Sequence, residues 1–143
     1  MIPAYEYACR VLDVVDGDTV DVLISLGFRM TAVQRIRLSG VDCPEIHAKD
    51  EFERRAAQEA KQFTQNWVEV NQLTNKGVLI EEFPLGIRTL KDPDSFGRWL
   101  GTIFVPGQLT LNTRLTLDGL ATLWPTRWRE TNLDPYKKEH AND

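Results

Sequence analysis

An Asp-Gly pair at positions 16 and 17 separates two segments that are rich in β-branched and apolar residues. These segments cover residues 7–15 and 19–24. Asp-Gly between such segments is a strong signal for a two-residue β-hairpin turn. The pair therefore predicts an antiparallel hairpin near the N-terminus and makes β-structure the starting point of the fold.

A third strand and a long helix are predicted after the hairpin. The third strand covers residues 29–42, where arginine and apolar side chains alternate at 35–38 before the chain reaches Pro44. Asp50 is the expected N-cap of the helix, and Glu53 stands at the capping-box position. The apolar face of this helix is predicted from residues that recur at steps of three and four: Phe52, Ala56, Ala60, Phe63, Trp67 and Val70.

The rest of the pattern completes a small barrel. A fourth strand is predicted over residues 78–83, with an extension over 88–91, and a fifth over 96–105. A short helix is expected over residues 111–117, between Thr110 as N-cap and Gly119 as its end. Three strands, a long helix, two strands and a short helix favour a mainly β, α+β fold: a five-stranded OB-fold barrel. The expected division is a domain of residues 1–126 and an irregular polar tail of residues 127–143.

Composition narrows the class of protein. A chain of 143 residues with 42% hydrophobic side chains is the size of one domain. Neither a signal peptide nor an apolar run near 18 residues is found, so we expect no membrane partner and a cytoplasmic or mobile-element setting. Cys9 and Cys43 are too few for a disulfide framework or a zinc site. The net charge of −4 means that any contact with nucleic acid must be local.

Four carboxylates form the first candidate site. Asp16 and Asp18 flank the hairpin turn, while Asp42 and Glu45 follow the third strand, and the barrel order allows these two places to meet. Hard oxygen donors of this kind suit Ca²⁺ or Mg²⁺. Taken one at a time, the same residues also fit a turn, a strand start and a solvated charge at a helix entry.

Two arginines add the features of a phosphate-binding site to these carboxylates. Arg37 shares its strand with Asp42, and Arg98 stands in an apolar strand that has no evident need for a guanidinium. The guanidinium is always charged and offers a rigid fork of donors, which suits a phosphate whose charge grows during reaction. The alternative is that each arginine pairs with a carboxylate at the edge of the core.

At this point the chain resembles the staphylococcal nuclease (thermonuclease) family over roughly residues 11–123. The resemblance rests on four groups of residues: Asp16-Gly17-Asp18-Thr19, Arg37 with Val41-Asp42-Cys43-Pro44-Glu45, Phe96-Gly97-Arg98, and Leu111-Asn112 with Gly119-Leu120-Ala121. It implies a Ca²⁺-dependent hydrolase of the endonuclease type that cuts DNA and RNA with low sequence preference. A monomer is expected.

The resemblance also implies how one Ca²⁺ ion would be held. Asp18, Asp42 and the backbone carbonyl of Cys43 would bind the ion. Asp16 would lie next to these ligands without binding the ion directly. Cys43 stands where the family usually has Thr or Ala, which is compatible with a carbonyl ligand. A thiol nucleophile at Cys43 is the alternative, although no histidine is adjacent.

The remaining implied roles concern the substrate. Glu45 would act on the attacking water, while Arg37 and Arg98 would bind the scissile phosphate. The candidate nucleic-acid-binding residues are Phe96, Trp124 and Trp128. Phe96 replaces a tyrosine that is common in the family, and Trp124 and Trp128 stand in place of tyrosines beside the nucleotide, where either could stack on a base or be buried against the barrel. The main alternative function is a non-catalytic OB-fold module that binds nucleic acid, and a weaker one is a protein-interaction domain.

Overall fold

The computed structural model describes residues 5–91 and 99–133. The elements in chain order are β1 (Glu6–Asp16), β2 (Thr19–Gly27), β3 (Met30–Leu38), β4 (Val41–Asp42), α1 (Glu51–Gln72), β5 (Leu85–Lys91), β6 (Trp99–Phe104), α2 (Leu111–Leu117), β7 (Thr122–Leu123) and α3 (Trp128–Asn132).

Five strands close into a barrel in the order β1-β2-β3-β6-β5, which confirms the predicted OB-type fold. β3 and β6 run parallel, whereas the other neighbouring pairs in the barrel are antiparallel. The interior is filled by alternate side chains of the strands, capped by the apolar face of α2: Val20, Val22, Ile36, Leu38, Ile87, Ile103, Leu111 and Leu115. β4 and β7 form a separate two-stranded sheet beside the barrel.

The predicted hairpin is confirmed, and α1 packs directly against its turn. Asp16 pairs with Thr19 across the turn. A Cβ atom at Gly17 would lie 2.7 Å from the Cβ of Ala60 and 3.0 Å from the Sγ of Cys43. The Thr64 hydroxyl also donates to the Gly17 carbonyl at 2.7 Å. Glycine is therefore needed at position 17 because the helix approaches the backbone too closely for a side chain.

Helix α1 begins as predicted, but its buried face is rotated from the predicted one. Asp50 caps the helix by accepting from the Glu53 N–H at 2.9 Å. Of the predicted apolar face, Ala60 is buried and Phe63 and Trp67 pack against the core, whereas Phe52 and Val70 are 48% and 76% exposed. The other buried residues are Glu53, Ala57, Thr64, Val68 and Gln72.

Polar contacts explain this rotation of α1. The Gln72 amide both accepts from the Val11 N–H at 2.6 Å and donates to the Val11 carbonyl at 3.1 Å. Thr64 makes a similar bond to the turn. These contacts satisfy backbone groups of β1 and of the turn that follows it. The β1–β2 register shifts just after Val11, so the backbone of this residue needs a partner outside the regular pairing. The helix is thus positioned by side chain to backbone hydrogen bonds that hydrophobic periodicity does not report.

Two other predictions need correction. Residues 78–83 form no strand, and Leu79 makes only an isolated bridge with Leu73. The fourth barrel strand is β5, which starts after Pro84 and buries Leu85 and Ile87. The third strand ends at Leu38, and a turn there separates it from β4.

A short helix lies in the first part of the predicted tail. The segment expected to be irregular from residue 127 onward contains α3, while residues 134–143 lie outside the described residues. Within residues 5–91 and 99–133, no helix is long and apolar enough to span a bilayer.

Candidate functional site

The register between β2 and β3 places a carboxylate beside an arginine. Thr19 pairs with Arg37, and the Leu38 N–H donates to the Asp18 carbonyl at 2.8 Å. The chain then turns at Gly40, which has a φ of 76°, and returns along β4. This turn brings Asp42 back toward the arginine that lies five residues earlier.

Asp18 and Asp42 share one guanidinium nitrogen. The Nη2 atom of Arg37 lies 2.8 Å from Oδ1 of Asp42 and 3.7 Å from Oδ2 of Asp18. The arginine side chain is 23% exposed, so the three groups meet in a partly desolvated place. A carboxylate from the β1–β2 turn and one from β4 therefore converge on one cationic group.

Asp18 is a buried carboxylate held by donors on both oxygens. It is 5% exposed, and it accepts from the Cys43 N–H at 2.9 Å and from the Thr19 hydroxyl at 3.1 Å. Burial raises the pKa of Asp18, and the neighbouring Arg37 and the Cys43 N–H offset that rise only in part. Its negative charge is thus poorly solvated and would gain from a further cation nearby.

Cys43 is placed for its backbone and not for thiol chemistry. The residue is 4% exposed. Burial raises the pKa of the thiol well above its usual range, and the carboxylates of Asp18 and Asp42 raise it further. This environment disfavours the thiolate, which argues against the nucleophile alternative, while the carbonyl as a ligand stays a prediction.

The C-terminal segment reaches the same carboxylate from the other side. Oδ2 of Asp42 accepts from the backbone N–H of Trp128 at 2.8 Å, at the first residue of α3. β4 also pairs with β7, with Asp42 opposite Thr122. A carboxylate at a helix start satisfies a free N–H and suits the local dipole. Asp42 thus joins the barrel to the segment that follows α2.

A cleft of about 280 Å³ opens between these two parts of the chain. Arg37, Asp42 and Glu45 line one side, and Trp124 and Arg127 lie on the other. The Trp124 ring is 46% exposed and has two guanidinium carbons near it, that of Arg37 at 5.5 Å and that of Arg127 at 5.9 Å from the ring centroid. The cleft thus places two arginines beside an exposed aromatic ring, together with the carboxylates of Asp42 and Glu45.

Trp128 does not match its predicted role. It is 4% exposed, and its ring stacks on Phe52 of α1 at a centroid distance of 6.2 Å and an interplanar angle of 28°. A buried ring has no free face for a nucleobase, so Trp128 is corrected from a stacking residue to a packing residue. Trp124 keeps the exposure that stacking requires.

Three further residues at the site were not predicted to act there. Glu53 does not complete a capping box: its buried carboxylate instead receives the guanidinium of Arg129 and the N–H of Glu45. Arg127 and Arg129 follow the predicted domain boundary. The sequence signal that could have identified the two arginines is their alternation with tryptophan in Arg127-Trp128-Arg129. Basic and aromatic residues combine in this way at sites that bind nucleic acid.

The predicted residues are distributed as follows. The structure brings Asp18, Arg37, Asp42 and Cys43 into direct contact, and Glu45 lines the same cleft. Asp16 is half-buried at the end of β1, two residues before Asp18. Two other predicted residues, Phe96 and Arg98, lie outside the described residues, and their roles stay predictions.

The donors fit a hard cation but do not form a complete cage. Over residues 5–91 and 99–133, no cluster of three or more His, Cys, Asp or Glu side chains could hold a metal ion. Asp18 and Asp42 supply carboxylate oxygens, and the Cys43 carbonyl directly follows Asp42. Both carboxylates also face the positive charge of Arg37, which would lie beside a bound ion. Waters would have to complete the coordination of Ca²⁺.

Comparison with known proteins shows to which protein family the chain belongs. The family model described as staphylococcal nuclease homologue matches residues 35–141, well over half of the chain. The chain therefore belongs to the staphylococcal nuclease homologue family, and this membership supports a nuclease-type function.

Two curated relatives are similar at the level of the whole sequence. Protein ParB of Escherichia coli is 29% identical over 142 residues, which cover 93% of this chain and 66% of that protein. Micrococcal nuclease of Shigella flexneri is 29% identical over 147 residues, which cover 96% of this chain and 71% of that protein. The chain thus spans about two thirds of the length of these relatives.

Proposed function

We propose that this protein is a Ca²⁺-dependent nuclease that hydrolyses phosphodiester bonds in DNA and RNA with low sequence specificity. The observation that carries the proposal is the convergence of Asp18 and Asp42 on one nitrogen of Arg37, at a cleft that Glu45 also lines. Family membership and the likeness to micrococcal nuclease support the same class of reaction.

Asp18, Asp42 and the Cys43 carbonyl would hold the Ca²⁺ ion. When bound, the ion would stabilise negative charge that develops on the phosphoryl oxygens. The buried Asp18 supports this assignment because its charge is already separated from water. Carboxylate and carbonyl oxygens are also the ligand types that Ca²⁺ prefers.

Arg37 binds the scissile phosphate in this proposal. Its contacts with Asp18 and Asp42 use Nη2, whereas a guanidinium carries five N–H donors in a fixed fork. Donors therefore remain for phosphate oxygens, and they are held in place by the two carboxylates. Arg98 is proposed as the second arginine at the phosphate, on the basis of the family resemblance.

Glu45 positions the attacking water or takes its proton. Its side chain is 74% exposed at the cleft, so water reaches it readily. A carboxylate positioned in this way contributes about 10²- to 10⁴-fold when it transfers a proton in the transition state.

The cleft favours single-stranded or frayed substrates. Trp124 offers a ring that is 46% exposed to a base, and the nearby Arg37 and Arg127 would attract the phosphates. Stacking accepts any base, which agrees with low sequence specificity. A closed duplex keeps its bases stacked inside and would be cut more slowly.

Release of acid-soluble nucleotides from single-stranded DNA tests the proposal. We expect release with Ca²⁺, none with EDTA, and a loss of about 10²-fold or more for Glu45→Gln. Cys43→Ala is the matched control, because it keeps the backbone carbonyl and removes only the thiol. Absence of Ca²⁺-stimulated release from the wild type would refute the proposal, and inactivity of Cys43→Ala would restore the thiol alternative.

A non-catalytic nucleic-acid-binding module is the second candidate. It is favoured by one observation: both oxygens of Asp42 already accept protein hydrogen bonds, from Arg37 and from the Trp128 N–H. In that case the carboxylates would serve to hold the cleft together. Gel-shift binding of single-stranded DNA without any nucleotide release would select this function.

A further inference from the structure

An ion pair between the buried carboxylate of Glu53 and the exposed side chain of Arg129 lies next to Glu45. Glu53 is 1% exposed, and its two oxygens receive Nε and Nη2 of Arg129 at 2.9 and 3.0 Å. This is a bidentate contact between a residue in the first turn of α1 and a residue of α3. Such a fork fixes the guanidinium in both position and plane.

Glu45 is tied to both members of this pair. Its backbone N–H donates to Oε2 of Glu53 at 3.3 Å, and its carboxylate Oε2 lies 3.8 Å from Nη2 of Arg129. The same arginine nitrogen therefore faces the buried carboxylate and the exposed one. The pair holds Glu45 at two points, one on the main chain and one on the side chain.

The exposure of Glu45 makes such support important. A side chain that is 74% exposed can occupy several rotamers, and a general base works only in one narrow range of positions. The nearby cation restricts these rotamers electrostatically. Because Glu53 is buried and holds Arg129 through two bonds, the cation itself does not follow the movements of Glu45.

We propose that Arg129, held by Glu53, is a positioning residue that orients the Glu45 carboxylate for reaction with water at the phosphate. The inference rests on the proposed nuclease function. It assigns a task to α3, a five-residue helix in the segment after the barrel, and to Glu53, whose expected role was only to cap α1. It also explains why a buried carboxylate is maintained beside the cleft.

Kinetics of single and double variants test the proposal. Arg129→Gln and Glu53→Gln should lower kcat on single-stranded DNA by about tenfold or more and leave KM within about threefold, because orientation is needed only in the transition state. Arg129→Lys keeps the charge but not the fork and should recover part of the loss. In the Glu45→Gln background, Arg129→Gln should cause no further loss, since both act through one carboxylate.

Arg55→Gln is the matched control. Arg55 also lies on α1 and pairs with Glu51 at 2.9 Å, but both side chains are largely exposed. The kcat of the Arg55→Gln variant should equal that of the wild type. An Arg129→Gln variant with a raised KM and unchanged kcat would show a direct phosphate contact and overturn the proposal, as would losses that add in the double variant.

Amide hydrogen exchange gives a readout that does not depend on activity. The Glu45 N–H should exchange at least about fivefold faster in Arg129→Gln than in the wild type, because Glu53 would no longer be held in place to accept from it. Unchanged exchange would overturn the positioning role even if the wild type cuts no DNA. Inactivity of the wild type with altered exchange would instead refute the nuclease function and retain the link between Arg129 and Glu45.

Discussion

The two sides of the cleft are built in different ways. The barrel side consists of Asp18 in the β1–β2 turn, Arg37 on β3, and Asp42 on β4, which follows β3 after a short turn. The C-terminal side consists of Trp124, Arg127 and Arg129, which follow α2 and depend on the two-residue β7 and the five-residue α3. One side inherits its geometry from the barrel, whereas the other obtains it from a few contacts across the cleft.

This difference separates two tasks. Charge stabilisation needs groups that are held within a fraction of an ångström, and strands of a closed barrel provide that. Contacts with successive nucleotides tolerate more movement, because stacking and charge attraction vary slowly with position. We therefore expect substitutions on the barrel side to change kcat and substitutions of Trp124, Arg127 or Trp128 to change stability or KM. Arg129 is the exception on the C-terminal side, because it is proposed to act on kcat through Glu45.

Arg37→Ala should have the largest effect. Removing the guanidinium takes away both the proposed phosphate donor and the charge between Asp18 and Asp42, and we expect kcat to fall by about 10²- to 10³-fold. Arg35→Ala, two residues earlier on the same strand, is the control because that arginine is exposed and pairs with Asp21. Steady-state kinetics on single-stranded DNA measures both. A fall in kcat of less than tenfold for Arg37→Ala would contradict the assignment of charge stabilisation to the barrel side.

Trp128→Ala should act on stability. The ring is buried against Phe52, so its truncation should lower the free energy of unfolding by about 3 kcal/mol. The backbone N–H that contacts Asp42 is kept in this variant. Urea unfolding measures the change. A stable but inactive variant would contradict the packing role and return Trp128 to the substrate.

Trp124→Ala should weaken substrate binding. Loss of one stacked base costs about 1 to 3 kcal/mol, which corresponds to a rise in KM of roughly 5- to 100-fold with kcat little changed. Trp124→Phe retains a ring and should stay close to the wild type. If Trp124→Ala lowers kcat and leaves KM unchanged, then Trp124 takes part in the chemistry and its assignment to substrate binding is wrong.

Asp21→Asn should have the smallest effect and should be confined to stability. The hydrogen bond from Arg35 lowers the pKa of Asp21 below its ordinary value of 3.8. The folded state thus favours the ionised form, so this contribution is present above pH 3.8 and is lost as the pH falls through the lowered folded-state pKa. The difference in Tm between the wild type and Asp21→Asn should therefore be small near neutral pH and should narrow below pH 3.8. A constant difference would contradict the ion pair as its cause.

Sequence reasoning succeeded where structure is local. The Asp16-Gly17 turn, the Asp50 cap and the short helix after Thr110 follow from adjacent residues, and all three are present. Barrel closure followed from the order of the elements. The barrel side of the cleft could be predicted because β2 and β3 are neighbours in sequence, so the hairpin fixes which residues face each other.

The failures have a common cause in contacts between distant parts of the chain. The buried face of α1 is set by Thr64 and Gln72, which bind backbone groups 47 and 61 residues away. α3 has five residues, too few for a periodic pattern to be read. The pairing of Glu53 with Arg129 spans 76 residues, and no local sequence pattern around either residue predicts its partner.

The close approach of α1 to Gly17 predicts how this domain can vary among relatives. Residues 17, 43 and 60 share one small volume, since a Cβ at position 17 would meet both Ala60 and Cys43. A larger side chain at any one of them must be matched by a smaller one at another, so the three positions should covary. Ala60 lies on the helix away from the cleft, but a change there would shift Gly17 and with it the adjacent Asp18. The spacing of the two carboxylates can therefore be altered from a residue that never meets the nucleic acid.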